Sequence, residues 1–237
     1  MIREIRKKLV VLSNRRPFPP AVKEYINHME GLDWVYMNLR LDGSPLSRDE
    51  AEKIMGGKPV MCGRIMDHVF IERLDGLRRE LYDFSQRDLN ISADLIRLIA
   101  EQAGADSHMF RKTTPQLVEY GYTPLLPSEI PSAMRDYLAF VAHNAEFENP
   151  FEKAAELHDR FLDIYPFKEG NQVTARALME YYLMRSGFPM ACPDISESEY
   201  NGMFADFCKT KNSRPLAELL TKSVLDRLEL MIQLTGY

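Results

Sequence analysis

One stretch of the chain, from Ile164 to Arg176, combines residue types that can bind a phosphate group and a metal ion. Apolar residues at helical spacing precede and follow it, which predicts a loop between two helices. The first turn of the second helix has unpaired N–H groups and the positive end of the helix dipole, so it can hold an anion. Glu169 can hold Mg²⁺ beside phosphates, and Arg176 can clamp a phosphate with its forked guanidinium.

A simpler interpretation of the same stretch is a turn between two core helices. Gly170 is then a turn residue, and Glu169 and Arg176 are solvated charges. The residue types alone do not separate the two interpretations.

The composition predicts a soluble globular protein. The chain has 237 residues, of which 45% are hydrophobic and 27% charged, and its net charge is −5. This charge gives no general attraction to nucleic acid or to anionic membranes. No apolar run approaches the roughly 20 residues of a membrane span, and the apolar run near the start is too short for a signal peptide. The three cysteines match no zinc or redox spacing, so we expect a cytoplasmic protein. From the charge and the short apolar runs we expect no membrane or nucleic-acid partner.

The spacing of apolar residues and the positions of Gly, Pro and capping residues predict an all-α fold. Residues 1–20 are predicted to be a mobile or surface-bound lead-in, and Gly31 is predicted to break the helical pattern of 21–41. Residues 105–128 contain no good helix, and 117–120 suit half of a small hairpin. The remaining predicted helices cover about 47–55, 61–84, 93–102, 131–144, 150–164, 174–186, 196–209 and 215–234.

The stretch 164–176 resembles the signature of the Fic (Fido) domain family, His-Pro-Phe-x-Asp/Glu-Gly-Asn-Gly-Arg-x-x-Arg. Tyr165, Gln172 and Val173 stand where the family has its His, its third Gly-Asn-Gly residue and its first Arg. The residues that match the signature are Pro166, Phe167, Glu169, Gly170, Asn171 and Arg176.

The resemblance extends over about residues 30–230. It implies a Fic/Fido helical bundle with a small β-hairpin flap at 111–128, where the family aligns a target peptide by strand pairing. It also implies an N-terminal helical segment at 1–60, a core at 61–195 and C-terminal helices at 196–237. Within the first of these, 34–47 is similar to the family's inhibitory segment, with Asp42 in place of its glutamate and Asn38 in place of its serine.

The activity that the resemblance implies is transfer of AMP from ATP to a hydroxyl of a target protein, with Mg²⁺ as cofactor. Glu169 then takes the metal role, and Gly170, Asn171 and Arg176 take the phosphate-binding role. Asp42 takes the inhibitory role by pairing with Arg176, although an exposed Asp in a turn is an equal alternative. The protein target is expected along the flap.

Tyr165 is the departure with the largest chemical consequence, because the family histidine accepts the hydroxyl proton. A phenol has a reference pKa of about 10, so as a base at pH 7 it is handicapped by about 4–5 kcal/mol relative to an imidazole. Val173 removes a cation, and Gln172 adds a side chain where the backbone lies close to phosphate. We therefore expect a degenerate Fic domain with weak or no transfer. The alternatives are an active transferase with altered chemistry or donor, and a non-catalytic interaction scaffold.

Three further side chains near the signature have two interpretations each. His158 lies two turns before Tyr165 on the same helix face, where it is either a substitute base or, as we predict, structural. Tyr120 and Tyr122 either grip a target from the flap or pack locally.

Overall fold

The computed structural model describes residues 1–60, 65–143 and 149–236, and no strand occurs in this part of the chain. Ten α-helices and one short 3₁₀ turn at Val118–Tyr120 fall within these ranges. The helices are α1 Ile2–Asn14, α2 Pro20–Leu41, α3 Arg48–Met55, α4 Ile65–Gln86, α5 Ala93–Gln102, α6 Ile130–Ala142, α7 Pro150–Ile164, α8 Asn171–Arg185, α9 Glu197–Thr210 and α10 Arg214–Leu234. The predicted all-α class is confirmed. The predicted helix residues 61–64 and 144 lie outside the described ranges.

Helices α7 and α8 form the centre of the bundle, as predicted. Asn149 caps α7 by accepting a 3.0 Å hydrogen bond from the Phe151 N–H, and Pro150 occupies the first turn, where its missing N–H costs nothing. Almost every side chain of α8 from 173 to 181 is buried, as expected for a helix surrounded by others. Helices α2, α4, α5, α6 and α9 pack against one side of this pair, and α1 and α10 against the other.

The sequence predicts a mobile or surface-bound lead-in at 1–20, and the mobile alternative is wrong. Residues 2–14 form α1, in which Ile5 and Leu12 lie two helical turns apart and are both buried against α10. Arg15 then donates a 2.6 Å hydrogen bond to the Ile232 carbonyl. The apolar spacing that predicts this helix is present in the sequence, but many charged residues lie between the apolar positions.

Gly31 does not break α2, which continues to Leu41. A Cβ at Gly31 would lie 3.0 Å from Nε of Arg78 on α4, so the glycine lets the two helices approach closely. The residue therefore serves helix packing, and the predicted helix end is wrong.

The expected β-hairpin flap is not seen. Leu117 and Tyr122 form a single antiparallel bridge, with N–H···O distances of 2.9 and 3.2 Å, around the 3₁₀ turn and Gly121 in the left-handed region. Pro115 and Pro124 flank the bridge and lack the N–H donors that a longer ladder needs. We refer to residues 111–128 as the flap segment.

A buried carboxylate fixes the chain beyond α8. Glu180 accepts hydrogen bonds of 2.8 and 2.9 Å from the N–H groups of Ala191 and Cys192. Burial raises the pKa of Glu180 to about 7.

In the described ranges, no helix has the length and apolar character that crossing a membrane requires.

Candidate functional site

The loop between α7 and α8 begins and ends with residues in the left-handed backbone region, Tyr165 at φ 49° and Gly170 at φ 77°. Gly170 is required there for two reasons. Its φ favours glycine, and a Cβ would lie 2.9 Å from the Ala105 nitrogen and 3.2 Å from the Ala103 carbonyl oxygen. The loop therefore packs directly on the backbone that follows α5.

Asn171 closes the loop with its side chain. Its Oδ1 accepts a 2.9 Å hydrogen bond from the Phe167 N–H, and its Nδ2 donates a 2.8 Å hydrogen bond to the Phe167 carbonyl. The side-chain amide is thus used within the fold. What remains for an anion is the backbone of the first turn of α8, because Gly170 at the N-cap has no side chain to occupy those N–H groups.

Arg176 lies one turn into α8 and is 1% exposed. Its Nε donates to Asn38 and its Nη2 to Asp42, both at 2.7 Å, and the guanidinium lies 5.6 Å from the centre of the Tyr200 ring. The remaining nitrogen, Nη1, is buried and has no hydrogen-bond partner among the described residues. The ion pair between Asp42 and Arg176 that the sequence left open is therefore present, while its inhibitory role stays a prediction.

A cleft of about 160 Å³ opens beside this loop. Small-molecule sites usually measure about 300–1,000 Å³, so in this conformation the cleft accommodates a phosphate-sized group. Its walls come from α2, α4, the segment after α5 and the signature loop, through Asp42, Phe70, Arg73, Ala103, Gly104, Tyr165 and 169–173. The N-terminal end of α8 and the partner of Arg176 thus face the same space.

Glu169 is at the cleft, but its side chain is 70% exposed and lies 3.4 Å from the Lys168 ammonium. No group of three or more His, Cys, Asp and Glu side chains converges on a metal position in the described ranges. Mg²⁺ commonly binds through one or two carboxylates together with substrate phosphates and water. Glu169 fits that mode, in which the ligand supplies the other oxygens.

The phenol of Tyr165 is poorly suited to accept a proton. Burial raises its pKa above the usual value, and the Glu119 carboxylate raises it further, while a hydrogen bond from Asn171 and the charge of Arg111 act in the opposite direction. The net shift reduces the phenolate fraction at neutral pH. Val173, at the position of the family's first arginine, is 3% exposed and packs in the core.

His158 is buried, and both of its ring nitrogens are engaged within the fold. Nδ1 lies 2.8 Å from Oδ1 of Asp159, and Nε2 is hydrogen-bonded to the Tyr200 hydroxyl. Neither nitrogen is left for a substrate, in agreement with the prediction that His158 is structural and not a substitute base.

The two flap tyrosines pack locally rather than project outward. Tyr120 lies edge-on to Phe204 at 4.9 Å, and its hydroxyl accepts a hydrogen bond from the Gln172 side chain. The Tyr122 hydroxyl donates a 2.5 Å hydrogen bond to the Asp163 carboxylate. Gln172 thus links the first turn of α8 to the flap segment.

Arg111 is a positioning residue that sequence reasoning missed. It is 5% exposed, and its N–H donates a 2.9 Å hydrogen bond to the Pro166 carbonyl. Its guanidinium donates to four further main-chain carbonyls, those of Thr113, Leu125, Ile164 and Tyr165. One arginine therefore ties both ends of the flap segment to the start of the signature loop. No spacing rule singles out such a residue, because all its partners are backbone groups.

A larger cleft, of about 340 Å³, lies between α2, the segment 191–195 and α10. Its charged side chains form ion pairs with one another. Asp33 pairs with Arg48 and with Arg227, each at 2.6 Å, and Arg40 pairs with Asp194. These pairs leave few polar groups to meet a ligand, so we favour the smaller cleft at the α8 N-terminus as the functional site.

Comparison with known proteins finds similarity to one family. A model of the Fic/DOC family matches residues 89–183. The protein adenylyltransferase Fic of Culex quinquefasciatus is 25% identical over 228 residues, which cover 91% of this chain and 43% of that protein. The protein adenylyltransferase fic-1 of Caenorhabditis elegans is 27% identical over 177 residues, covering 70% of this chain and 34% of that protein. The chain thus spans less than half the length of these relatives.

Solved structures agree on the fold. A Fic domain containing signaling protein from Bacteroides thetaiotaomicron superposes with a TM-score of 0.82 at 18% identity, over 98% of this chain and 96% of that one. Fic-1 from C. elegans superposes with a TM-score of 0.75 at 21% identity, over 98% of this chain and 71% of that one. The chain therefore has the Fic fold, and its residues 89–183 carry the sequence pattern of the Fic/DOC family.

Proposed function

We propose that this chain is a Fic-type domain that binds ATP with Mg²⁺ at the N-terminal end of α8 and transfers AMP to protein hydroxyls weakly or not at all. The observation that carries the proposal is the hydrogen bonding of the Arg176 guanidinium. Its buried guanidinium keeps one unpaired nitrogen, and its partner Asp42 forms part of the cleft wall.

The phosphate-binding side rests on three groups with distinct roles. The N–H groups of the first turn of α8 point toward the cleft end of the helix and favour negative charge. Arg176 supplies a charge-assisted donor once its carboxylate partner moves. Glu169 holds Mg²⁺ together with phosphate oxygens of the nucleotide. Asp42 competes with the nucleotide for Arg176.

The transfer side is weakened at the position of the general base. Tyr165 has a raised pKa, and both nitrogens of His158 are engaged elsewhere. A protein target lying along the flap segment is part of the proposal. The small volume of the cleft favours a second candidate, an interaction scaffold that does not bind nucleotide.

Calorimetric titration with Mg-ATP tests the proposal. Asp42→Ala should tighten binding, because it frees Arg176, and Arg176→Ala should abolish it. A charged hydrogen bond contributes about 1.5–3 kcal/mol, so each change corresponds to roughly 10- to 100-fold in affinity. Asp194→Ala is the matched control, since it removes an exposed carboxylate paired with an arginine outside the cleft.

Two outcomes separate the alternatives. If neither the unaltered chain nor Asp42→Ala binds at millimolar Mg-ATP, the loop is only a turn and the scaffold interpretation stands. If binding is measured, incorporation of label from α-labelled ATP into protein distinguishes a transferase from a binding domain without turnover.

A further inference from the structure

Helix α4 brings to the cleft a cation that the signature loop lacks. Arg73 lines the same cleft as Tyr165, Glu169 and the first turn of α8. Val173 stands where the family signature has its first arginine, and its side chain is buried. The cleft therefore holds an arginine from a different helix, near the place where one is missing.

The Arg73 guanidinium lies against the backbone of Gly104. A Cβ built at Gly104 would overlap Nη1 of Arg73, so the absence of a side chain there leaves room for the guanidinium. The two neighbours of this glycine, Ala103 and Ala105, are the residues on which Gly170 packs. The short segment 103–105 thus supports both the arginine and the end of the signature loop.

Arg73 is free to bind a ligand. It is exposed, and none of the carboxylates that the structure describes lies within ion-pair distance of it. Its neighbours on the same helix differ in this respect, because Arg78 and Arg79 both pair with Asp75. An unpaired guanidinium in a concave site beside a helix N-terminus suits an anion with several oxygens.

A second, independent observation points to an anion at this place. Nη1 of Arg176 is buried without a partner in the part of the chain that the structure describes, and the Asp42 carboxylate that holds the same guanidinium lines the cleft. Arg73 thus lines the cleft itself, and Arg176 lies one hydrogen bond away from it, through Asp42. The acidic groups of the space are Asp42, already paired with Arg176, and Glu169, which lies near Lys168.

We propose that Arg73 is a polyphosphate-binding residue of the cleft and takes the place of the arginine absent at position 173. The ligand class is a nucleoside triphosphate, whose phosphate oxygens the guanidinium would bind in bidentate fashion. This assignment rests on the proposed nucleotide site.

The test is calorimetric titration of Mg-ATP and, separately, of magnesium tripolyphosphate, in the Asp42→Ala background. Arg73→Ala should weaken both ligands roughly 10- to 100-fold, because a charged donor is lost. Arg73→Lys should retain part of the affinity, because the positive charge remains but the bidentate geometry of the guanidinium is lost. Arg79→Ala removes an exposed arginine of the same helix outside the cleft, and its affinity should stay within about twofold.

The outcomes distinguish this inference from the proposal on which it rests. Binding that survives Arg73→Ala unchanged but disappears in Arg176→Ala overturns the role of Arg73 and leaves the nucleotide site in place. Absence of binding in the Asp42→Ala background overturns both. Arg73 makes no hydrogen bond within the described structure, so its replacement should leave the thermal unfolding midpoint unchanged, and circular dichroism checks this.

Discussion

The proposed phosphate-binding end of the cleft and its proposed base end differ in whether their residues match the signature and what they contribute to the fold. At the phosphate end, Gly170, Asn171 and Arg176 match the family signature, and each also contributes to the fold. Gly170 adopts a left-handed backbone, Asn171 closes the loop, and Arg176 forms a buried ion pair. At the base end, the signature residue is replaced by Tyr165. The comparison teaches that a retained signature residue need not report a retained function, because the fold alone requires some of them.

The residues at the three positions that depart from the signature make contacts within the fold. The Tyr165 carbonyl accepts a 2.7 Å hydrogen bond from Arg111, the Gln172 side chain donates to Tyr120, and Val173 packs in the core. None of these contacts needs a nucleotide. Helices α7 and α8 therefore pack together without a histidine at position 165.

The largest expected effect comes from restoring the base. In the Asp42→Ala background, Tyr165→His should raise AMP transfer roughly 10²–10⁴-fold, the usual contribution of a general base. Histidine tolerates the left-handed backbone of this position better than most residues. Incorporation of label from α-labelled ATP measures the effect, with Tyr165→Phe as the control that removes the hydroxyl. If Tyr165→His adds nothing although Mg-ATP binds, the base is not the missing part.

The sequence predicts more of the fold than of the site. Helical spacing and capping residues such as Asn149 are local signals, so the central pair α7 and α8 could be predicted. Contacts between distant residues could not. Arg111 binds only backbone carbonyls, and Arg73 reaches the cleft because Gly104 leaves room for it. Nothing in the order of residues shows which carbonyl or which glycine will lie opposite an arginine.

Gly170→Ala should destabilise the fold by about 2–3 kcal/mol, because the left-handed conformation disfavours a Cβ and that atom would lie 2.9 Å from a backbone nitrogen. The matched control is Gly202→Ala within α9, where a Cβ meets nothing within 4 Å. That change should be neutral or stabilise by about 0.4–1 kcal/mol. Urea unfolding measures both. Equal stability of the two variants would mean that Gly170 is retained for its ligand rather than for the loop.

Asn171→Ala should cost about 1–3 kcal/mol without any nucleotide present, because the Phe167 N–H loses its acceptor in a buried place. Asn171→Asp keeps that acceptor, but it loses the donor to the Phe167 carbonyl and buries a negative charge against that oxygen, so it should cost at least as much. Urea unfolding of the two variants gives the comparison. If neither changes the free energy of unfolding, the amide has no structural role and is available to a ligand.

The smallest expected effect concerns the hydrogen bond between Gln172 and Tyr120, the contact that a signature glycine could not make. Tyr120→Phe removes the acceptor and keeps the ring against Phe204, so it should cost about 1 kcal/mol. Gln172→Ala should cost a similar amount, and the double variant should cost less than the sum, because both changes remove one interaction. Urea unfolding gives the coupling, and amide hydrogen exchange at 117–122 should accelerate in each variant.

Tyr122→Phe is the control, since the Tyr122 hydroxyl binds Asp163 instead, and this variant should show no coupling with Gln172. Strict additivity of Gln172→Ala and Tyr120→Phe would show that the first turn of α8 departs from the signature at position 172 without gaining a contact in return.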